Sequence, residues 1–223
     1  MYCEFDAPMR EGVGVITQDV SKNHSVVTLV ATPTWSSLDT GLGYLTFDGA
    51  TEYAEAQSTA TGNLDFTTGD YSLGAWFKWE TGDDSQHIMG RYELNVSGWE
   101  LYLYSTLTLT LRHHHAAGTD LRSAQYSAGW SKDVWWFMGI SKPAGGDAVF
   151  YRGSATGDLE VIDTVGATPE DPETETRDLT IGVRYSKDDN YFKGGMWRPR
   201  CWSTALTADD WLTIHALEKG WFA

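Results

Sequence analysis

The sequence has few of the residues that mark a disulfide scaffold, a metal site or a membrane span. Its 223 residues include two cysteines, Cys3 and Cys201, which are too few for a disulfide framework and do not form a Cys-x-x-Cys motif. It has no run of about 18 apolar residues, and its first residues lack a basic segment followed by an apolar stretch. We therefore expect no membrane insertion, and synthesis in a cytoplasm without a Sec signal.

Basic residues are also scarce. Sixteen Lys and Arg stand against 31 Asp and Glu, which gives a formal net charge of −15 at pH 7. This charge repels phosphate backbones, so we expect that nucleic acid is not a partner. The motifs G-x-S-x-G, H-E-x-x-H and the P-loop are absent as well, and we expect no catalytic activity.

Aromatic residues and strand-like alternation are abundant. The chain has 11 Trp, 11 Tyr and 8 Phe, enough large rings for a stable core. In "YSLGAWFKWE" the side chains alternate between two faces, a pattern typical of a strand in a sandwich. One face carries Leu73, Ala75, Phe77 and Trp79, and the other carries Ser72, Gly74, Trp76 and Lys78. The sequence therefore predicts an all-β fold.

Two further segments complete the predicted elements. "WELYLYSTLTLTLR" predicts two strands with a turn near Ser105 and Thr106. In "TADDWLTIHALEKG", Thr207 and Asp210 have the spacing of a capping box, which predicts one short helix at the C-terminal end. No linker, repeat or composition break divides the chain, so we expect one domain over residues 1–223.

Five short motifs in order resemble the laminin-G-like, pentraxin-like branch of the concanavalin A-like lectin superfamily. They are Phe47-Asp48-Gly49, Gly74-Ala75-Trp76, Trp135, Gly153 and the closing segment 195–206. The resemblance implies a jelly-roll sandwich of two antiparallel sheets, with Trp76, Trp135 and Trp211 in the core. It fixes the fold better than the function, because one fold hosts many activities.

The resemblance also bears on calcium. Where relatives often carry an aspartate that binds calcium in the closing motif, this chain has Trp197, whose ring cannot bind a metal ion. Asp19 and Asp48 resemble family acids near that site. Two interpretations remain open: a structural calcium near Asp19 and Asp48, or two aspartates that cap turns. We expect no other cofactor.

Glycan-cleaving members of the same superfamily carry an E-x-D-x-E strand, because a retaining mechanism needs two carboxyl groups about 5 Å apart. The nearest equivalent here is Glu160 and Asp163, which fall on opposite faces of a regular strand. This arrangement also indicates a protein that is not an enzyme.

Three groups of residues are candidate binding residues. Trp79, Trp99 and Trp136 lie at predicted strand ends or on the apparent outer face, where sugars can stack on them; the alternative is that they are core residues. Asp188, Asp189 and Asn190 lie where lectin-like relatives carry ligand loops, or they form a simple turn. His113 and His115 share a strand face, which suits a zinc ion with a third ligand or, as we favour, a polar strand end.

In the family topology the first strand pairs with the last long strand, so the resemblance implies that Cys3 and Cys201 become neighbours. A disulfide then requires that both side chains point to the same face, which a register shift of one residue prevents. Two free thiols are the favoured alternative.

Two functions from different classes follow from the resemblance. In the first, the protein is a non-catalytic structural or decoration protein of a phage virion, made in the host cytoplasm, with other virion proteins or copies of itself as partners and with weak adhesion to cell-surface glycans. In the second, it is an extracellular carbohydrate-binding module of an adhesin or of a glycan-degrading system. We favour the virion hypothesis.

Overall fold

The protein is a sandwich of two antiparallel sheets. The computed structural model describes residues 3–80, 85–104, 108–124, 131–164 and 170–223. Its strands, numbered along the chain, are β1 (Cys3–Asp6), β2 (Ile16–Gln18), β3 (Val26–Val30), β4 (Thr34–Ser37), β5 (Gly43–Asp48), β6 (Tyr53–Ala56), β7 (Tyr71–Trp79), β8 (Gln86–Glu93), β9 (Ser97–Tyr104), β10 (Thr108–His115), β11 (Gly118–Ala124), β12 (Trp136–Lys142), β13 (Val149–Ser154), β14 (Glu160–Thr164), β15 (Leu179–Ile181) and β16 (Lys193–Trp202). The predicted all-β class is confirmed.

The described strands divide into two sheets with long crossovers. Sheet A has the order β14-β13-β12-β7-β16-β5-β4, and β1 also pairs with β16. Sheet B has the order β11-β10-β9-β8-β15-β6-β3-β2. The predicted pair of strands around Ser105 and Thr106 is present as β9 and β10, and the turn itself lies outside the described residues.

Alternating side chains from both sheets fill the space between them. On β7 the predicted alternation is confirmed, and the inner face is the one with Leu73, Ala75, Phe77 and Trp79, because all four belong to the main core. On β9 the inner residues are Trp99, Leu101 and Leu103. Removing each large side chain of this kind from water stabilises the fold by roughly 1.5–3 kcal/mol. The shared core holds the two sheets together.

A helix, α1 (Ala208–Glu218), covers the outer face of sheet A. The predicted capping box is confirmed: Thr207 accepts a hydrogen bond from the Asp210 amide, and the Asp210 carboxylate accepts one from the Thr207 amide. Trp211 is fully buried and lies over two glycines, where a Cβ atom would come within 2.9 Å of its ring at Gly74 and within 2.8 Å at Gly139. The glycines therefore make room for the helix.

Under α1 lies a second aromatic layer. It includes the three tryptophans that the resemblance places in the core, all buried, and Trp197, which packs there as a ring. The members of this layer are Leu42, Trp76, Trp135, Phe137, Tyr151, Trp197, Trp202, Leu206 and Trp211. The outer face of sheet A is therefore apolar and covered.

The predicted pairing of the first and last strands is confirmed, but its disulfide is not. Phe5 pairs with Cys201 and Cys3 pairs with Trp202, and the Cys3 thiol lies 3.4 Å from the Cys201 carbonyl oxygen. Cys201 belongs to the core between the sheets, whereas Cys3 packs against the layer under α1. Because the side chains point to opposite faces of the sheet, both cysteines are free.

Within the described residues, no helix has the length and apolar content needed to cross a membrane.

Candidate functional site

The outer face of sheet B is polar where the outer face of sheet A is aromatic. On β9 the residues that alternate with the core side chains are Glu100, Tyr102 and Tyr104, which point outward. The register sets Glu100 between Gly90 on β8 and Arg112 on β10. Three adjacent strands therefore bring polar side chains together around Glu100.

Glu100 is a buried carboxylate that three basic side chains contact. His114 donates to its Oε1 from Nε2 at 3.1 Å, the Arg112 guanidinium lies 3.0 Å from the same oxygen, and His87 Nδ1 lies 3.4 Å from Oε2. Burial by itself would raise the pKa of Glu100, but the hydrogen bonds from His114 and His87 and the positive charge of Arg112 hold it well below its usual range. The carboxylate is therefore ionised at neutral pH.

A stack of rings fixes the two histidines. Tyr92 stacks on His87 with 5.5 Å between ring centroids and on His114 with 4.8 Å. The Asn95 amide donates to His114 Nδ1 at 3.2 Å, so the proton of a neutral His114 sits on Nε2, where it is donated to Glu100. Burial, and then the negative charge of Glu100, raise the pKa of Tyr92. The rings and the carboxylate form one preorganised unit.

Gly90 leaves space for this unit. A Cβ atom at Gly90 would lie 2.9 Å from His87 Nε2 and 3.0 Å from the backbone of Glu100. A larger residue would push the His87 ring away from the carboxylate, so the site depends on a glycine at this position.

A cavity of about 150 Å³ opens beside Glu100. Its wall includes Tyr102, Tyr104, Arg112 and Arg184, and Tyr104 is 48% exposed. The Arg112 guanidinium lies 4.9 Å from the Tyr102 ring centroid and donates a hydrogen bond to the Tyr102 hydroxyl. The volume equals about five waters at ~30 Å³ each, which suits one ring rather than a long chain.

Of the three predicted loop residues, Asp188, Asp189 and Asn190, one lines this cavity. Asn190 lines the cavity, and its carbonyl oxygen accepts a hydrogen bond from the His87 amide at 3.0 Å. Asp188 and Asp189 lie beside Arg184, at 3.8 Å and 3.6 Å from its guanidinium, and their side chains are 67% exposed. The loop therefore contributes Asn190 directly and holds Arg184 at the rim.

The expectation that Trp79 and Trp99 lie exposed is wrong. Each is 1% exposed, because the alternation of β7 and β9 turns both rings into the core between the sheets. Trp99 also donates from its indole nitrogen to the Leu64 carbonyl oxygen at 2.8 Å. Trp136 is half-buried at the start of β12, under the Arg152 guanidinium, and it does not line the cavity beside Glu100. A ligand contact by Trp136 stays a prediction.

Asp19 and Asp48 both cap turns, as one of the two interpretations predicts. Asp19 is buried and accepts hydrogen bonds from the amides of Asp6, Ser21 and Ser25. Asp48 accepts from the three amides at positions 50–52; burial would raise the pKa of Asp48, but these bonds lower it to about 2. A calcium ion near these acids stays a prediction.

Metal binding by the histidine run has little support. His113 contacts Tyr71 through Nε2 and the Glu170 carbonyl oxygen through Nδ1, so both ring nitrogens are already engaged. Among the described residues, no group of three or more His, Cys, Asp or Glu side chains is placed to hold a metal ion. The histidine of the run that contacts Glu100 is His114, on the opposite face of β10.

The sequence contained a signal for part of this site. In "WELYLY", the same alternation that buries Trp99, Leu101 and Leu103 predicts that Glu100 and Tyr102 point outward. His87 gave no such signal, because a bulge interrupts the pairing of β8 with β9 beside it.

The structure is similar to receptor-binding domains of botulinum neurotoxins. The receptor-binding domain of type G matches with a TM-score of 0.72 and 12% identity over 98% of this chain and 52% of that chain. A structure of botulinum neurotoxin type C, whose cell entry is described as dependent on interaction with two ganglioside molecules, matches with a TM-score of 0.70. Its identity is 13% over 97% of this chain and 51% of that chain. The binding domain of type DC in complex with rat synaptotagmin II matches with a TM-score of 0.69 and 14% identity over 96% and 51%. The chain thus spans about half the length of these domains, and at such identity the likeness shows the fold.

Sequence comparison gives the family. No curated protein sequence matches the chain. A family model described as the concanavalin A-like lectin/glucanases superfamily matches residues 48–210, which is most of the chain. With its two antiparallel sheets and the short helix α1, the protein belongs to the concanavalin A-like lectin/glucanase superfamily.

Proposed function

We propose that this protein is a non-catalytic glycan-binding module that binds a single sugar unit on the outer face of sheet B. The observation that carries the proposal is the cavity of about 150 Å³ beside Glu100, where exposed aromatic and polar groups converge. The fold and the ganglioside-dependent entry described for the neurotoxin relative are consistent with it.

The chemistry of the cavity wall suits a sugar. The exposed ring of Tyr104 offers an apolar face for the C–H groups of a sugar ring, and its neighbour Tyr102 lies with its ring centroid 6.4 Å away. Arg112, Arg184 and Asn190 supply planar donors for hydroxyl groups, and the ionised Glu100 holds Arg112 in place. A few placed polar groups beside aromatic rings are typical of small-molecule sites.

The same wall argues against glycan cleavage. Glycoside hydrolysis uses two carboxyl groups about 5–10 Å apart, and among the described residues that line the cavity Glu100 is the one carboxylate. Glu160, on β14, instead pairs with Arg152 on β13. A bulge lies between Glu160 and Asp163, so the simple alternation that predicts opposite faces for them does not apply there. We expect the purified protein to release no reducing ends from β-glucans.

The test is a glycan array followed by affinity measurements on the best glycan. Tyr104→Ala should lower the affinity about tenfold or more, because a stacking face is lost, while the unfolding midpoint stays within a few degrees. Trp221→Ala is the matched control, since Trp221 is 49% exposed and lies at a different cavity. The proposal fails if no glycan binds, or if the two variants weaken binding equally.

We propose further that the module works on the surface of a phage particle, beside other virion proteins or copies of itself. Support comes from an apolar edge of sheet B near β2 and β3, which leaves five aliphatic side chains exposed: Val13, Val15, Ile16, Val20 and Val26. Exposed apolar side chains beside an edge strand are typical of a surface that packs against another protein.

The alternative context is an extracellular adhesin or a glycan-degrading system, which the neurotoxin receptor-binding relatives favour. Mass spectrometry of purified particles and of culture medium separates the two contexts. Sedimentation of Val15→Asp and Val26→Asp variants tests the edge: dissociation of an assembly supports a packing role, and a wild-type protein that stays monomeric at all concentrations and does not bind particles contradicts it.

A further inference from the structure

A second cavity, of about 580 Å³, lies on the other side of the sandwich, where α1 covers sheet A. We call it the α1 cavity. The wall residues that bear on its chemistry are Arg10, Trp197, Arg200, Leu217, Glu218 and Trp221. Its volume is within the ~300–1,000 Å³ range of small-molecule sites, and none of its wall residues belongs to the site around Glu100.

Among the described residues that line the α1 cavity, Glu218 is the one acidic group, and protein donors engage it fully. The Glu218 carboxylate accepts from Arg200 at 2.7 Å and 2.9 Å, from Arg198 at 3.1 Å and from the Trp76 indole at 3.0 Å. Arg198 also forms a two-pronged ion pair with Asp6. The wall therefore has no carboxylate left to receive a donor from a ligand.

Hydrogen-bond donors, in contrast, are left without protein partners. Trp197 is 5% exposed and Arg200 is 4% exposed, yet the Trp197 indole nitrogen and Arg200 Nε have no hydrogen-bond partner. The guanidinium of Arg10 is exposed and forms no ion pair within the part of the chain that the structure describes. The Trp197 and Arg200 nitrogens are closed to solvent, so the donor that a ligand in the cavity can reach is the exposed Arg10 guanidinium.

The charges around the α1 cavity and the apolar groups at its rim indicate which class of ligand it can bind. Three arginines, Arg10, Arg198 and Arg200, face two carboxylates, Asp6 and Glu218, which leaves one positive charge in a chain of net charge −15. A singly charged anion balances it, whereas a phosphate monoester, at about −1.5 to −2, would exceed it. At the rim, Leu217 is 76% exposed and Trp221 is 49% exposed, two apolar side chains that a ligand can cover.

We propose that the α1 cavity binds a small molecule that carries one carboxylate on an apolar body. The carboxylate accepts from the Arg10 guanidinium, whose planar fork matches carboxylate geometry. The apolar body lies on Leu217 and Trp221. This site is independent of the proposed glycan site.

The first experiment titrates the full chain with octanoate, octanamide and octyl phosphate by calorimetry. Octanoate should bind saturably and at least about tenfold more tightly than octanamide, because only the former brings a charge-assisted acceptor. Equal binding of the amide, tighter binding of the phosphate, or no binding of octanoate would overturn the proposal. A peptide with a C-terminal leucine, as free acid and as amide, forms a further arm: tighter binding of the peptide acid than of octanoate would assign the site to a chain end instead.

The second experiment removes the donor. Arg10→Gln should lower the octanoate affinity about fivefold or more, and Lys132→Gln, which removes the same charge from an exposed position outside the cavity, should not. Unchanged octanoate binding in Arg10→Gln would refute the assignment, and unchanged glycan binding in the same variant shows that the two sites are separate.

Discussion

The two outer faces of the sandwich come from the same alternating strand pattern, yet one is buried under a helix and the other is open to solvent. On sheet A the outward residues are rings such as Trp76 and Phe137, and α1 buries them. On sheet B the outward residues include Glu100, Tyr102 and Arg112, and a loop borders them without covering Tyr104. The chemistry of the outward residues thus decides which face becomes core and which stays open for a ligand.

The largest effect on stability is expected from a substitution in the packing between α1 and the covered face of sheet A. Trp211→Ala removes a fully buried ring that lies over Gly74 and Gly139, and it should lower the free energy of unfolding by about 3–5 kcal/mol. The matched control is Leu212→Ala on the same helix, where the side chain is 51% exposed and the change should stay within ~0.5 kcal/mol. Urea unfolding measures both, and equal losses would contradict the packing role of α1.

On the open face the corresponding change is Glu100→Gln. It keeps the shape of the side chain but leaves Arg112 without its charge partner, so stability should fall by about 3 kcal/mol and glycan binding should be lost. Retained binding in a folded variant would show that the carboxylate is not part of the glycan site.

The pH dependence of stability further tests the role of Glu100 on the open face. The pKa of Glu100 is lowered in the folded protein from a usual value near 4.5, so its contribution is complete above that value and is lost as the pH falls below it. Glu4 and Asp48, with pKa values lowered to about 2, add to the acid loss of the wild type. Wild-type stability should therefore decline below about pH 4.5, and the difference between wild type and Glu100→Gln should shrink toward pH 2. Parallel curves from pH 7 to pH 2 would contradict this assignment.

A smaller effect is expected from mild oxidation, which tests whether Cys3 and Cys201 lie on opposite faces of sheet A. Mild oxidation should not link Cys3 to Cys201, because their side chains lie on opposite faces of the sheet. Burial, and then the negative charge of Asp6, raise the pKa of Cys3 to about 12, which leaves little reactive thiolate at neutral pH. Mass spectrometry of alkylated peptides measures this, and a linked peptide would show that β1 can shift its register.

The smallest effect is expected from chelation. Asp19 follows β2 in sheet B and Asp48 ends β5 in sheet A, and backbone amides occupy both carboxylates. EDTA should leave the melting temperature unchanged. A bound calcium at a hundredfold excess over its Kd would instead contribute about 2.7 kcal/mol, and a drop of several degrees would establish a calcium site.

Local rules predicted a large part of the fold. Alternation placed the residues of β7, and the spacing of Thr207 and Asp210 placed the start of α1. They predicted less of the site, because Glu100 receives its partners from β8 and β10 through a register that one strand alone does not encode. Trp79 shows the same limit: its place at the end of β7 suggested exposure, but the alternation of the strand turns its ring into the core.

The position of β16 has a consequence for how the protein is made. This strand lies between β7 and β5 and also pairs with β1, so residues 193–202 join parts of sheet A that are made much earlier. Until they leave the ribosome, the described strands of sheet A form three separate pieces, which are β1, the pair β4 and β5, and the group β7, β12, β13 and β14; their unpaired edges can pair with another chain. Because Phe5 must wait for Cys201, we expect slow folding dominated by long-range contacts, with a risk of aggregation that lasts until residues 193–202 are made.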